Sequence, residues 1–410
     1  MKNLIFGLDI GSQEIKIVAA RRSSGDSPPQ ILAAISAPSA GIRRDVVVEI
    51  SDLTTALRET ADRCEKILGS SIKEGTFVSV GGNHIEVKPS RGAVAVSRAD
   101  GEISEEDIDR VIKSAQAISL PPNRIILHVI PRDFTVDSEH GIKDPMGMTG
   151  VRLEVDALII DAFAPAIKNL TKALEEADIE ITDFVLNTLA VSVAVLDKRQ
   201  RELGVLVLDI GAGTTGMAVF EEGNLLHTKI FPVGSSHISN DLAVGLRTEI
   251  DIAERVKLEY GTAMAELATK KEIVNLSKII EGAKGEFPRR FIAEIIEARL
   301  CEIFELVQKE LKKIGRAGLL PAGVVLCGGG AQMPGIVDLT KRELKLPAKI
   351  GYPQGVGGLI DKVDSPVYAA AVGLILWAEN FSDSSRRSIS FSQKNRFFQV
   401  IKKFFRSFVP

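Results

Sequence analysis

Leu8-Asp9-Ile10-Gly11 recurs two hundred residues later as Leu208-Asp209-Ile210-Gly211, and each copy joins two apolar runs. Leu4-Ile5-Phe6 precedes the first copy and Ile15-Lys16-Ile17-Val18 follows it. Val205-Leu206-Val207 precedes the second, and Met217-Ala218-Val219-Phe220 follows it. Each copy therefore reads as strand, small-residue turn, strand. The spacing is too wide for a solenoid repeat, so the pattern predicts two related domains facing each other across a cleft.

A hairpin tip of glycine and hydroxyl residues suits phosphate, because backbone N–H groups converge there with no Cβ in the way. The candidate donors are Gly11, Ser12 and Gln13 in the first tip, with Lys16 on the strand beyond. In the second tip they are Gly211, Ala212, Gly213, Thr214 and Thr215. Asp9 and Asp209, at the strand ends just before the tips, are placed to hold a hydrated Mg²⁺ against a polyphosphate, since Mg²⁺ takes oxygen ligands and keeps several waters. A third glycine cluster, Val324-Val325-Leu326-Cys327-Gly328-Gly329-Gly330, is again apolar strand into turn and would let a flat base or ribose lie on bare backbone; Met333 follows it. Glu254 and Lys257 are spaced i, i+3 on one helical face, suited either to a ribose or base edge or to a plain solvated ion pair. A single Asp-x-Gly turn is usually an ordinary hairpin; the matched pair plus the triple glycine, in this order, is what points to nucleotide.

The rest of the chain alternates the two periodicities. Helices are predicted over Asp52–Leu68, begun by Ser51 or Asp52, and from Ser104 towards Ile118, stopped before Pro121-Pro122. Further helices are predicted over Ile250–Tyr260, Lys270–Ile280, Ile292–Ile314 and Val367–Trp377. Strands are predicted over Thr76–Val80, Ile125–Val129, Val155–Ile160 and Gly323–Leu326. Residues 82 to about 162 read as a compact α+β insertion, and Gly373 inside an apolar helix signals close packing at the domain junction and a hinge. The class is α/β with inserted subdomains.

With 410 residues, 45% hydrophobic and 26% charged, the chain has the balance of folded globular units. Its net charge of −3 argues against a nucleic-acid binder, but seven basic and no acidic residues lie from Ser384 to Pro410, leaving about −10 on the remainder. Cys64, Cys301 and Cys327 are dispersed and the five histidines show no ligand spacing, so neither a disulfide framework nor a zinc site is expected. Asp9 interrupts the first apolar run, so no cleaved signal is expected, and Tyr368–Ala378 is shorter than the roughly 20 residues of a spanning helix.

The tail is amphipathic. Wound at about 100° per residue, Phe397, Phe398, Val400, Ile401, Phe404, Phe405, Phe408 and Val409 fall in one half-circle, with Lys402, Lys403 and Arg406 opposite and Arg396 at the edge. This is the pattern of an interfacial helix on anionic lipid rather than of a docked core helix. The Ser-rich stretch 381–395 reads as a flexible linker.

The motif order resembles the actin, sugar-kinase and heat-shock chaperone ATPase superfamily: two phosphate hairpins, an adenosine motif and a second connecting helix. Within it the chain is similar to the FtsA family of bacterial cell-division proteins. That resemblance rests on His128-Val129-Ile130-Pro131, Gly141-Ile142-Lys143-Asp144-Pro145, Gly147-Met148 and Gly150-Val151-Arg152-Leu153. It continues at Asn240-Asp241-Leu242-Ala243, Gly245-Leu246-Arg247, Ala253-Glu254-Arg255-Val256-Lys257 and Cys327-Gly328-Gly329-Gly330-Ala331-Gln332. It implies an actin-like fold of two ribonuclease H-like halves. The first half would comprise residues 1–82 and 163–203 with 366–380 packed on it, and 83–162 would be the insertion. The second half would comprise 204–233 and 319–365, with a helical subdomain at 234–318, a linker at 381–395 and a membrane helix at 396–410.

It further implies ATP with Mg²⁺ as cofactors and polymerisation on the cytoplasmic face of the inner membrane at the division site. The implied partners are the C-terminal tail of FtsZ, docked on 234–318, further copies of the chain through the insertion, anionic lipids, and later division proteins. Three positions depart from the pattern. Gly216 and Asn187 stand where acidic residues near the attacking water are usual, and Ser235-Ser236 replaces Gly-Gly. Asn187 retains only a water-orienting role, so slow or absent hydrolysis is expected. A sugar-kinase-like phosphotransferase and an actin-like type IV pilus assembly protein are the alternative readings.

Overall fold

The computed structural model describes residues 4–22, 27–72, 75–269, 271–280 and 285–385. Both Asp-Ile-Gly copies lie in hairpins. Leu4–Ile10 pairs antiparallel with Glu14–Arg21, ending at Ile10 opposite Ile15, and Val205–Ile210 pairs with Thr215–Glu221, ending at Ile210 opposite Thr215. In the first half the sheet order is Ile181–Leu186, Thr76–Val80, Leu4–Ile10, Glu14–Arg21, Gln30–Pro38, with the short Gly357–Gly358 at the edge. In the second, reading from the opposite edge, it is Ala348–Ile350, Val324–Cys327, Val205–Ile210, Thr215–Glu221, Asn224–Phe231. The two orders are the same, antiparallel on the hairpin side and parallel on the other. The duplication visible in eight residues of sequence is thus a duplication of two whole sheets.

Strand Val205–Ile210 shows why the apolar runs are continuous rather than alternating. Val205 and Val207 join one core cluster, with the first half, while Leu206, Leu208 and Ile210 join another, with the helices of residues 235–313. A strand covered on both faces is apolar at every position. Asp209 breaks the run on the face of Val205 and Val207, and on that face it meets the helix Asn187–Val195.

That helix is the junction. Ala369–Ser385 packs on it and on strand Leu4–Ile10, and two glycines set the distance. A Cβ on Gly7 would lie 2.3 Å from the carbonyl oxygen of Ala371, and one on Gly373 would lie 1.8 Å from that of Ala190. The close packing expected at Gly373 is present.

The insertion has its own four-stranded sheet, ordered Glu86–Ala95, Arg152–Phe163, Arg124–Val136, Glu139–Ile142. Helix Glu105–Gln116 covers it, and its core includes Val111, Ala115, Phe134, Val155 and Ile159. Ser104 and Asp107 form the reciprocal cap that starts the helix. Arg124 ties the base of the insertion to itself, donating to the carbonyl of His84 at 2.9 Å and pairing with Asp161. A hydrogen bond then joins the insertion to the first half, where Nε2 of His128 accepts from the Leu186 N–H at 3.0 Å. Burial pushes His128 down to about 4, which keeps its ring neutral and able to accept.

Three expectations need correction. The first helix runs Ile50–Leu68 with Glu49 at its cap and no capping side chain, because the Ser51 hydroxyl donates to the Glu49 carboxylate instead. The helix expected over Lys270–Ile280 is not formed by its described residues 271–280. Ile273–Asn275 pairs with Glu286–Pro288, and the Asn275 side chain caps only a short 3₁₀ turn, Leu276–Lys278. The last helix, Ala369–Ser385, continues into the stretch read as linker, since no Pro or Gly lies between Gly373 and Ser385 to end it earlier. Residues 386–395 of the expected linker and the amphipathic segment 396–410 lie outside the described residues. Among the described residues no helix is long and apolar enough to cross a membrane.

Candidate functional site

Between the halves lies a cleft of about 680 Å³. Of the residues expected there, Asp9, Gly11, Ser12, Gln13, Lys16, Asn187, Asp209, Gly211, Ala212, Thr214, Glu254, Lys257, Gly328, Gly329, Gly330 and Met333 line it. Gly213 and Thr215 do not. Thr215 is fully buried and its hydroxyl donates to the carbonyl of Val233, and a Cβ on Gly213 would sit 2.5 Å from Ser12 Oγ, so Gly213 serves the approach of the two tips.

The tips have the same local geometry. Gly11 N–H donates to the carbonyl of Glu14 at 3.0 Å, and Gly211 N–H to that of Thr214 at 2.9 Å. The carbonyls of Gly211 and Ala212 accept from the N–H groups of Ser235 and Ser236, at the start of helix Ser235–Leu246. In a trans peptide the N–H points opposite to the C=O, so the donors of Ala212 and Gly213 face away from that helix. The Ser235-Ser236 departure is compatible with this grip, because backbone groups make it; the Ser235 hydroxyl adds a donor to Gly211 at 3.1 Å.

The two aspartates are held differently. Asp9 Oδ1 accepts from Ser79 at 2.7 Å, and Asp209 Oδ2 accepts from Asn187 Nδ2 at 2.8 Å. Burial first, and then the charge of Asp9, pushes the Asp209 carboxyl up to about 7. The amide of Asn187 is thereby oriented, and its Oδ1 is buried with no protein partner. Gly216 stands opposite Asp209 in the hairpin register, as Lys16 stands opposite Asp9. A Cβ at Gly216 would meet Thr188 Cγ2 at 2.6 Å, so the junction helix closes the place a basic or acidic side chain would need.

On the far side of the cleft, Glu254 and Lys257 are not a solvated pair. Lys257 is buried, its Nζ 2.6 Å from Glu254 Oε2 and 3.0 Å from Ser239 Oγ. Gly328 and Gly330 are required by packing: Cβ atoms there would strike Asp209 Oδ1 and Ile210. Gly329 has nothing within 4 Å of its Cβ position and is the bare surface of the cluster.

One cleft residue escapes the sequence reading. Asp45 lies in the turn between Ile42–Arg43 and Val46–Val47, where Arg44 and Asp45 have φ of 51° and 60°. Such turns usually carry Asn-Gly or Asp-Gly, and Arg-Arg-Asp-Val gives no such signal. The carboxylate accepts from Ser12 Oγ at 2.7 Å and from Thr214 Oγ1, and burial outweighs these bonds to push its carboxyl up.

A family model described as "Cell division protein FtsA" matches residues 206–373, and one described as "SHS2 domain inserted in FTSA" matches residues 82–161. The "Cell division protein FtsA" of Pseudomonas aeruginosa is 35% identical over 388 residues, covering 94% of this chain and 92% of that protein. The chain belongs to the FtsA family.

The fold of this FtsA-family chain is actin-like. A structure of the "PilM-PilN type IV pilus biogenesis complex" superposes with a TM-score of 0.66 at 18% identity, covering 92% of this chain and 98% of that one. MreB5 of Spiroplasma citri bound to ADP gives 0.56 at 12% identity, covering 94% and 99%. Neither likeness extends beyond fold at such identity.

Proposed function

We propose that this FtsA-family chain binds ATP with Mg²⁺ between its hairpins, assembles on the cytoplasmic face of the bacterial membrane at the division site, and tethers FtsZ filaments there. The observation that supports the nucleotide reading is the pair of tips with the same local geometry, each preceded by an aspartate at its strand end, opening on one cleft. The donor set fits Mg²⁺: all oxygen, with a carboxyl near 7 that a cation would ionise. Among the described residues no three His, Cys, Asp or Glu side chains converge on one point, which suits an ion kept at a distance by its own waters. In this reading Asp9 and Asp209 hold the hydrated ion, the free N–H groups of the tips hold phosphate, and Glu254, Lys257, Gly329 and Met333 take the nucleoside. The FtsZ tail, the lipids, later division proteins and protomer contacts through the insertion are proposed on family grounds and on the amphipathic tail.

Titration with a fluorescent ATP analogue tests the site. Asp9→Ala and Asp209→Ala are each expected to weaken Mg²⁺-dependent binding at least tenfold. Unchanged affinity in both variants would place the nucleotide elsewhere.

Turnover is expected to be slow. An amide cannot accept a proton at neutral pH, so Asn187 can orient a water through Oδ1 but not deprotonate it. Gly216 offers no side chain and no room for one. Steady phosphate release is therefore expected barely above background, and a rate above roughly 1 per second, in the ordinary enzyme range, would instead support the phosphotransferase reading. The pilus-assembly reading is disfavoured by the 18% identity to that neighbour against 35% to the cell-division relative.

A further inference from the structure

Asp45 ties the two halves together. Its Oδ1 takes the Ser12 hydroxyl of the first tip, its Oδ2 takes the Thr214 hydroxyl of the second, and its own N–H donates to Ser12 Oγ at 3.0 Å. Ser12 and Thr214 belong to different sheets and meet through this one side chain. Both hydroxyls are therefore spent on carboxyl oxygens, acceptors of the kind that a phosphate also presents. The turn is also wedged in place: a Cβ on Gly213 would lie 2.9 Å from the Cα of Arg44 as well as against Ser12. The other side of this turn packs against Ile42, Val46, Val47 and His84, so the turn stands as a partition between the cleft and that apolar side.

A carboxylate in this position opposes an incoming phosphate in two ways. It keeps the tip hydroxyls occupied, and it puts a further acidic group in the cleft beside Asp9 and Asp209. We propose that Asp45 is an internal surrogate for phosphate, a latch that closes the two tips on each other in the free protein and that a polyphosphate must displace to bind. The proposal rests on reading the cleft as a nucleotide site and assigns that site its gate. Asp is tolerated at positive φ, so the turn holds Asp45 in this position without a glycine.

The test is stopped-flow association of a fluorescent ATP analogue with Mg²⁺, with hydrogen exchange of the ligand-free protein in parallel. Asp45→Asn preserves shape and suits φ of 60°, but it removes the charge and leaves one acceptor for two hydroxyls. Asp45→Gly relieves the backbone and removes both ties. Association is expected about tenfold faster in both variants, with dissociation within twofold of the parent. Exchange in peptides covering residues 11–16 and 211–217 is expected to accelerate in both, and also in Thr214→Val, which cuts one tie. Thermal melts report whether each variant is folded, and the glycine variant serves if the asparagine one is not. Unchanged or slower association in folded variants, with tip exchange unaltered, would overturn the latch. Absence of analogue binding to the parent protein sinks the nucleotide reading and displacement with it; faster exchange in all three variants then still supports the tie between the tips, and unaltered exchange removes it.

Discussion

Gly373→Ala is expected to lower the stability of the chain by at least about 3 kcal/mol, the upper part of the range for overpacked cores. The added Cβ would fall 1.8 Å from the carbonyl oxygen and 2.4 Å from the carbonyl carbon of Ala190. Backbone of a buried helix cannot swing aside as a side-chain tip can. Either Ala369–Ser385 or Asn187–Val195 must move by more than an ångström, which presses the first against Gly7 and the second, through Thr188, against Gly216. Gly329→Ala is the control, since nothing lies within 4 Å of its Cβ position. Thermal melts followed by circular dichroism are expected to show a drop of several degrees for Gly373→Ala and none for Gly329→Ala; equal melts for the two would show that the helices have slack.

Deletion of residues 395–410 is expected to abolish sedimentation with anionic liposomes while leaving the fold and nucleotide binding intact. Each large apolar side chain that enters the interface contributes about 1.5 to 3 kcal/mol before ordering costs, and each basic residue near anionic lipid adds about 1 kcal/mol. With eight phenylalanine, isoleucine and valine side chains on one face and three cations on the other, one copy is expected to bind weakly. The proposed filament would bind firmly, because linked tails raise the effective concentration. Changing Phe404 and Phe405 together to Asp is expected to act like the deletion, by placing charge in the middle of the apolar face. Sedimentation of the truncated chain equal to that of the full chain would put the anchor elsewhere and overturn this reading of the tail.

The legible parts of this molecule were those where a local rule and the tertiary structure agree. The hairpins were visible because strands covered on both faces are apolar throughout and must turn on small residues. The Ser104 helix was visible because its cap is local. Lys270–Ile280 misled because its apolar spacing suits a helix, yet its backbone finds a partner in Glu286–Pro288, and no local pattern announces a partner eleven residues away or more. Asp45 was invisible for a related reason. Its importance comes from Ser12 and Thr214, 33 and 169 residues distant, and its turn lacks the glycine that marks most turns of its kind. The Glu254–Lys257 pair was ambiguous in sequence, because i, i+3 spacing says nothing of burial; Ser239, on another helix, decides it.

The helix that carries Gly373 also has a mechanical consequence. It is buried from Ala369 through Ala378 except at the half-buried Leu376, and is clamped between the strand that leads to the first tip and the helix whose Asn187 holds Asp209. Force applied at its C-terminal end therefore enters the core directly. It runs lengthwise along a core helix, loading its two flanking contacts in shear, and reaches the walls of the cleft before it reaches any other part of the protein.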